Sequence, residues 1–260
     1  MTEGRFEMKY AVHEDQIPEI RSFIAPYVEP DKHGQPLFGE ARGYIVHSVY
    51  FDDKHHSGYA GRLEEHDVRN RVRVRTYGHA GETWPVFLEC KRKLRSEVIK
   101  HRVKLADTAL WSACEDPNPW RALLGSLSGS ARTRALRFAG VIEDEDLFPT
   151  CATHYVREVY VDGERRFTVD YSVRGSVQPN LRSFQEDGAF PLLPEGWTVL
   201  ELKFSDGEPA WMRELCRAFS LVAEPVSKFG LAMALGMYGD RPQHARRVMP
   251  PTILRHGAWP

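Results

Sequence analysis

Arg69-Asn-Arg-Val-Arg-Val-Arg-Thr76 is the stretch on which the reading of this chain turns. Residues two apart on a β-strand share a face. Arg69, Arg71, Arg73 and Arg75 therefore stand on one side, with Val72, Val74 and Thr76 on the other. Cations spaced about 7 Å apart along one face repel by roughly 0.6 kcal/mol per neighbouring pair even at the dielectric of bulk water. A solvated face normally intersperses both signs. An unbroken arginine row is easier to explain if an anion sits on it.

The same division recurs along the chain. Lys100, Arg102 and Lys104 oppose Ile99, Val103 and Leu105, with His101 as the exception. Glu7 and Lys9 oppose Phe6, Met8, Tyr10 and Val12, and Glu89, Lys91 and Lys93 oppose Val86, Leu88, Cys90 and Leu94. Glu201 and Lys203 oppose Leu200, Leu202 and Phe204, and Arg166 and Asp170 oppose Phe167, Val169 and Tyr171. Period-2 alternation predicts strands near 5–12, 43–52, 69–78, 84–94, 97–105, 151–162, 165–172 and 197–205. Helical spacing predicts helices over 14–28 and 209–220 and a broken helical region over 106–140, with loops at 29–40 and 179–196. The expectation is a single α+β domain over residues 1–240. From Gly239 the periodicity fades, so 241–260 is expected to be a flexible C-terminal tail. Charge on one face and apolar residues on the other, with helices available to cover the latter, is the arrangement of a tunnel.

Bulk properties narrow the classes. With 35 basic against 36 acidic residues the net charge is −1, so no global field draws the protein to nucleic acid or membrane. Tyr77 and Trp84 lie beside the cations, but most aromatic residues fall on apolar faces, which argues against base stacking on single-stranded nucleic acid. The four cysteines are scattered, with no C-x-x-C and no histidine at zinc-ligand spacing. The N-terminus has no apolar signal core, and no uncharged run is long enough to span a bilayer. A cytoplasmic protein is expected. No Ser/His/Asp or Cys/His nucleophile set stands out. Glu-x-Lys occurs as Glu7-Met-Lys9, Glu89-Cys-Lys91 and Glu201-Leu-Lys203. Carboxylates among cations suit a site for phosphate together with Mg²⁺ or Mn²⁺, which one or two carboxylates plus phosphate oxygens commonly hold.

Nine motifs in order carry a family resemblance: Arg5-Phe-Glu-Met-Lys-Tyr10; Val49-Tyr-Phe-Asp52 with Tyr59-Ala-Gly-Arg62; Arg71-Val-Arg-Val-Arg-Thr-Tyr-Gly78; Phe87-Leu-Glu-Cys-Lys91; Val98-Ile-Lys100; Tyr155-Val-Arg157; Arg166-Phe-Thr-Val-Asp170; Leu200-Glu-Leu-Lys203; and Ser227-Lys-Phe229. From Arg5 to Tyr238 the chain resembles a stand-alone, bacterial-type member of the polyphosphate-polymerase (VTC) domain family within the triphosphate tunnel metalloenzymes. The resemblance implies an antiparallel eight-stranded β-barrel tunnel with helices packed outside. It implies phosphate-chain contacts by Lys9, Arg73, Arg75, Lys91, Lys100, Arg157, Arg166 and Lys228, and Glu201 as a ligand to Mn²⁺ or Mg²⁺. Arg157 and Lys228 rest on the resemblance alone. Arg71, Arg102 and Lys203 are further candidates for phosphate; Glu7, Glu89 and Asp170 either assist the metal or balance charge. Arg5 stands where the related CYTH branch has the first glutamate of Glu-x-Glu-x-Lys, which counts against a thiamine triphosphatase or adenylate cyclase. The implied activity is phosphoryl transfer from a nucleoside triphosphate such as ATP to inorganic polyphosphate. Hydrolysis of triphosphate or a nucleoside triphosphate, and non-catalytic polyphosphate binding, remain open beside it.

Overall fold

A computed structural model describes residues 6–37, 41–64, 68–78, 85–94, 97–105, 127–177, 188–205, 207–239 and 241–257. Arg5, Trp84, Cys114, residues 106–126 of the expected third helical region and 179–187 of the expected loop lie outside the described residues. In chain order the elements are β1 (Phe6–His13), a 3-10 turn (Glu14–Gln16), α1 (Ile17–Ile24), β2 (Glu29–Pro30), β3 (Gln35–Pro36), β4 (Arg42–Asp52) and α2 (Ser57–Leu63). Then come β5 (Val68–Gly78), β6 (Val86–Leu94), β7 (Glu97–Leu105), α3 (Gly129–Asp144), β8 (Phe148–Asp162), β9 (Arg165–Ser176), β10 (Phe190–Pro191) and β11 (Trp197–Phe204). The chain continues through α4 (Ala210–Ala218), α5 (Lys228–Gly236), α6 (Pro242–Val248) and α7 (Pro251–Arg255). The eight long strands match the alternation read from the sequence. The helix expected over 14–28 is shorter: residues 14–16 form a 3-10 turn, and although Ala25 keeps helical geometry, Pro26 lacks the N–H that would extend the ladder.

All pairings are antiparallel, and the long strands follow the order β1-β11-β9-β8-β4-β5-β6-β7. One face is apolar and lies under helices. Ile17, Ile20 and Ile24 of α1 and Trp211, Met212 and Leu215 of α4 cover Tyr10, Phe167, Val169, Leu200 and Leu202. Ala135, Phe138, Ala139 and Ile142 of α3 cover Val49, Val72, Val74, Leu88 and Val103.

Two expectations about the barrel are corrected. First, among the described residues no ladder joins β1 to β7, so the sheet is curled and open rather than closed. The free edge of β1 is already occupied: Glu224 N–H donates to the Lys9 carbonyl at 2.9 Å, and Lys9 Nζ donates to the Val226 carbonyl at 3.1 Å. Second, the helices are not all outside. Residues 228–234 of α5 are consecutively buried, packed with Ala11, Val46, Tyr155 and Val199 of the inner sheet face. After Lys228 the helix reads Phe-Gly-Leu-Ala-Met-Ala-Leu-Gly236 without a charge, and a helix apolar on every side must be surrounded.

The expected tail from Gly239 onward is also different. It forms α6 and α7, and Val248, Met249 and Ile253 join the core around α5. Glu224 anchors it by accepting from the Thr252 N–H at 3.0 Å and the Thr252 hydroxyl at 3.2 Å. Sequence periodicity misses helices of seven and five residues, which are too short to repeat a pattern. Ile253 is fully buried, so Ile253→Ala is expected to lower stability by about 2–5 kcal/mol in chemical denaturation; a mobile tail would show no change.

Candidate functional site

The inner sheet face surrounds a cavity of about 740 Å³. Among the described residues, twelve lysine and arginine side chains line it against four carboxylates. In a chain of net charge −1 that is a strong local excess of positive charge. Cross-strand register assembles it. Arg71, Arg73 and Arg75 of β5 stand opposite Lys91, Glu89 and Phe87 of β6, which stand opposite Lys100, Arg102 and Lys104 of β7. On the other side Glu7 and Lys9 of β1 pair with Lys203 and Glu201 of β11, and Lys203 with Arg166 of β9.

Glu201 is the hub of one cluster. Its carboxylate meets Lys203 Nζ at 2.6 Å, Arg157 Nη2 at 3.4 Å, and both Lys9 Nζ and Lys228 Nζ at 3.6 Å. Burial alone would raise this carboxyl, but the surrounding cations hold it well below the usual carboxylate range. Asp170 lies behind, fully buried, and accepts from Arg157 at 2.5 and 2.6 Å in a bidentate pair. Lys228 Nζ reaches Asp170 at 2.5 Å. Burial opposes the Asp170 charge, yet Arg157 and Lys228 keep its carboxyl low. Lys9 also meets Glu7 at 3.1 Å.

Local backbone explains two of these positions. β8 approaches β4 so closely at Gly43 that a Cβ there would stand 1.9 Å from the Arg157 carbonyl; only glycine permits the approach that carries Arg157 inward. Lys228 is the first residue of α5, whose cap Ser227 accepts from the Gly230 N–H at 3.2 Å. The positive end of the α5 dipole is thus turned to the cavity, a favourable place for an anion.

Glu89 centres the second cluster, accepting from Arg73 Nε at 2.6 Å, with Arg102 at 3.1 Å and Arg75 at 3.9 Å. Arg75 donates to the Ser48 hydroxyl at 2.9 Å and the Tyr77 hydroxyl at 3.2 Å. Arg166 donates to Asp31 at 2.7 Å and to the Tyr44 hydroxyl at 3.3 Å. At the exposed side of β6, burial and the cations Arg71, Lys100 and Lys9 outweigh Glu7 and pull Lys91 down to about 8.

The cations named from the sequence as candidate phosphate contacts line this one cavity: Lys9, Arg71, Arg73, Arg75, Lys91, Lys100, Arg102, Arg157, Arg166, Lys203 and Lys228. Glu7, Glu89 and Glu201 do so too, while Asp170 backs the wall. The sequence did not single out Asp31, Tyr44, Tyr50 or Tyr155 for the site, and placed Tyr77 beside the cations without giving it a role there. Tyr155 lies between cations, its ring centre 4.6 Å from Lys228 Nζ and 5.2 Å from the Arg157 guanidinium carbon. The available signal was Tyr44, Ser48 and Tyr50 falling on one parity of β4.

The donor set bears on metal binding. Among the described residues no three carboxylate, histidine or cysteine side chains cluster as an all-protein metal cage. Glu201 and Glu7, sharing Lys9 as a neighbour, are hard oxygen donors facing the cavity. One or two such groups suffice for Mg²⁺ or Mn²⁺ when phosphate oxygens complete the shell, so the residues fit a cation that arrives with its substrate.

Three solved structures are similar to this chain to different degrees. A candidate adenylate cyclase from Bacillus halodurans matches at 14% identity and TM-score 0.50, covering 86% of this chain and 94% of that one. A candidate adenylate cyclase from Vibrio parahaemolyticus matches at 12% identity and TM-score 0.44, covering 89% and 98%. A protein from Pyrococcus horikoshii OT3 matches at 12% identity and TM-score 0.44, covering 88% and 99%. At such identity the likeness concerns the fold alone. No curated protein matches. No described helix is long and apolar enough to cross a membrane. The VTC domain family model matches residues 4–237, so nine motifs in order, an inward basic face and a carboxylate hub on β11 converge with it: this chain belongs to the VTC domain family.

Proposed function

We propose that the cavity holds a linear phosphate chain and supports metal-dependent phosphoryl transfer, moving the terminal phosphoryl group of a nucleoside triphosphate such as ATP onto polyphosphate. The observation that carries this reading is the charge of the lining, twelve cations against four carboxylates. That excess calls for a polyanion, and the rows are long. Arg71 to Tyr77 on β5 alone spans about 20 Å at the usual rise per strand residue. Family membership supports the same substrate class.

The residues divide by task. Arg73, Arg75, Arg157 and Arg166 present planar N–H groups to non-bridging oxygens in a pocket of poor screening, where each contact counts for more than in water. Lys91 and Lys100 continue the row toward solvent. Lys228 and the N-terminus of α5 meet the chain from the inner end. Glu201, with Glu7 beside it, would hold Mn²⁺ or Mg²⁺, which supplies Lewis-acid neutralisation of charge on the transferring group. An acceptor phosphate is already ionised, so positioning and charge neutralisation are the main demands.

Two substitutions separate these tasks. Glu201→Gln removes a carboxylate from among four cations, so tripolyphosphate affinity should hold or rise, while turnover with ATP and Mn²⁺ followed by ³¹P NMR should fall at least about a hundredfold on the scale of lost electrostatic stabilisation. Undiminished turnover removes the metal role. Arg73→Ala should instead weaken tripolyphosphate binding by about 1.5–3 kcal/mol, the worth of a charged hydrogen bond. On a gel, polyphosphate ladders support transfer, and orthophosphate alone refutes it.

Lys91 gives a pH test. Because it loses its proton near pH 8, its charge is present below that pH and absent above. Tripolyphosphate affinity should therefore fall as pH rises through about 8, and Lys91→Arg should make that fall shallower, as arginine stays charged. Titration calorimetry across pH 6.5–9.5 checks it.

A further inference from the structure

Water and phosphate make different demands as acceptors. A phosphate oxygen attacks as an anion, whereas water must shed a proton as its oxygen bonds to phosphorus, and a base near the operating pH serves best. The carboxylates of the cavity are poor candidates. Glu89 is tied to Arg73 and Arg102, Asp31 to Arg166, Glu201 to Lys203, Glu7 to Lys9, and Asp170 behind the wall to Arg157 and Lys228. In Glu89, Glu201, Glu7 and Asp170 burial is outweighed by neighbouring cations and the carboxyl is held low. A carboxylate so stabilised takes up a proton reluctantly.

We propose that the Tyr50 hydroxyl is the proton acceptor that lets water take the phosphoryl group, so that Tyr50 sets how much of the turnover is hydrolysis. This rests on the phosphate-chain reading above. Tyr50 lines the cavity from β4, in register with Arg73 of β5 and Cys151 of β8. Its ring centre lies 5.2 Å from that of Phe229 at the inner end, and its hydroxyl accepts from Arg73 Nη1 at 3.4 Å. The groups facing it are Arg71, Arg73 and Arg75 from β5, Phe229 from α5 and Cys151 from β8. Burial alone would raise the phenol, but the three arginines outweigh it and bring it to about 8. Tyr44 and Tyr155 are instead raised, burial prevailing in both. Tyr77 is lowered as well, and its hydroxyl likewise accepts from an arginine, Arg75, at 3.2 Å, but its ring packs on Phe87 of β6, whereas that of Tyr50 packs on Phe229 of α5.

The phenolate oxygen takes one proton from water while the water oxygen forms its bond to the terminal phosphorus. The bond from that phosphorus to the bridging oxygen breaks, and its electron pair leaves on the shortened chain. Orthophosphate departs, and the phenol returns its proton to solvent.

The test is Tyr50→Phe, which keeps the ring against Phe229. With tripolyphosphate and Mn²⁺, kcat for orthophosphate release should fall about a hundredfold, the usual worth of a positioned base, with KM changed less than about threefold. Wild-type hydrolysis should rise with pH through about 8, and the variant should lack that rise. Replacement of tyrosine by 3-fluorotyrosine, a more acidic phenol, should move the rise to lower pH. With ATP and polyphosphate, the ratio of hydrolysis to transfer should fall at least about tenfold. Equal loss of both activities, or a rise in KM alone, overturns the proposal and reduces Tyr50 to a support for Arg73. A wild type that transfers but never hydrolyses also overturns it while leaving the phosphate-chain reading intact. Failure of the wild type to bind tripolyphosphate defeats that reading and this one together.

Discussion

Repulsion among inward-facing cations is the constraint on which the rest of this structure depends. A cavity lined by twelve cations cannot be built by placing charge alone. Each added cation raises the cost of its neighbours, the more so as solvent is excluded. The fold answers by register. Glu89 stands opposite both Arg73 and Arg102, and Glu201 stands opposite Lys9 with Lys203 two residues along the same face. A shift of one residue in either ladder would turn these carboxylates to the apolar face and leave the cations uncompensated. Strand pairing and site electrostatics are therefore one requirement.

That coupling explains how much was legible in the sequence. Where one face is charged and the other apolar, alternation shows both the strand and the direction of its side chains, and β1, β5, β6, β7 and β11 read cleanly. β8 does not. Cys151, Ala152, Thr153, Tyr155, Arg157, Glu158 and Val159 are all buried, since helices lie on one side and the filled inner face on the other. With both faces buried, contrast between them is lost, and Arg157 has no signature of its own. Lys228 is illegible for a different reason, as it is placed by a helix cap. The tyrosines were passed over because an aromatic residue counts as apolar in a periodicity reading, although its hydroxyl serves a charged wall equally well.

Closure was the inference that resemblance carried too far. The segment leading into α5 takes up hydrogen-bonding capacity on the edge of β1 that pairing with β7 would need. The same segment delivers Ser227 and Lys228 to the cavity and continues into the helix that fills the inner end. The C-terminal helices are then needed to cover that helix. Substitutions there will disturb stability and the cationic lining together, because one stretch of backbone serves both.

The choice between arginine and lysine along the wall follows from burial. Moving an ammonium group out of water favours its neutral form. Lys91, only partly buried, is already drawn down to about 8, and Lys203 is lowered even with Glu201 at 2.6 Å. A lysine deep in the cavity thus keeps its proton only where carboxylates hold it, as Asp170 and Glu201 do for Lys228, whose ammonium is stabilised against the burial that would otherwise discharge it. Guanidinium is charged at any relevant pH and more weakly hydrated, so it needs no such support. Arg75 and Arg157 occupy buried positions on the inner wall, and the more exposed positions on β6 and β7 carry Lys91, Lys100 and Lys104 beside Arg102. The buried wall thus takes arginine, or lysine held by a carboxylate, while the rim carries both.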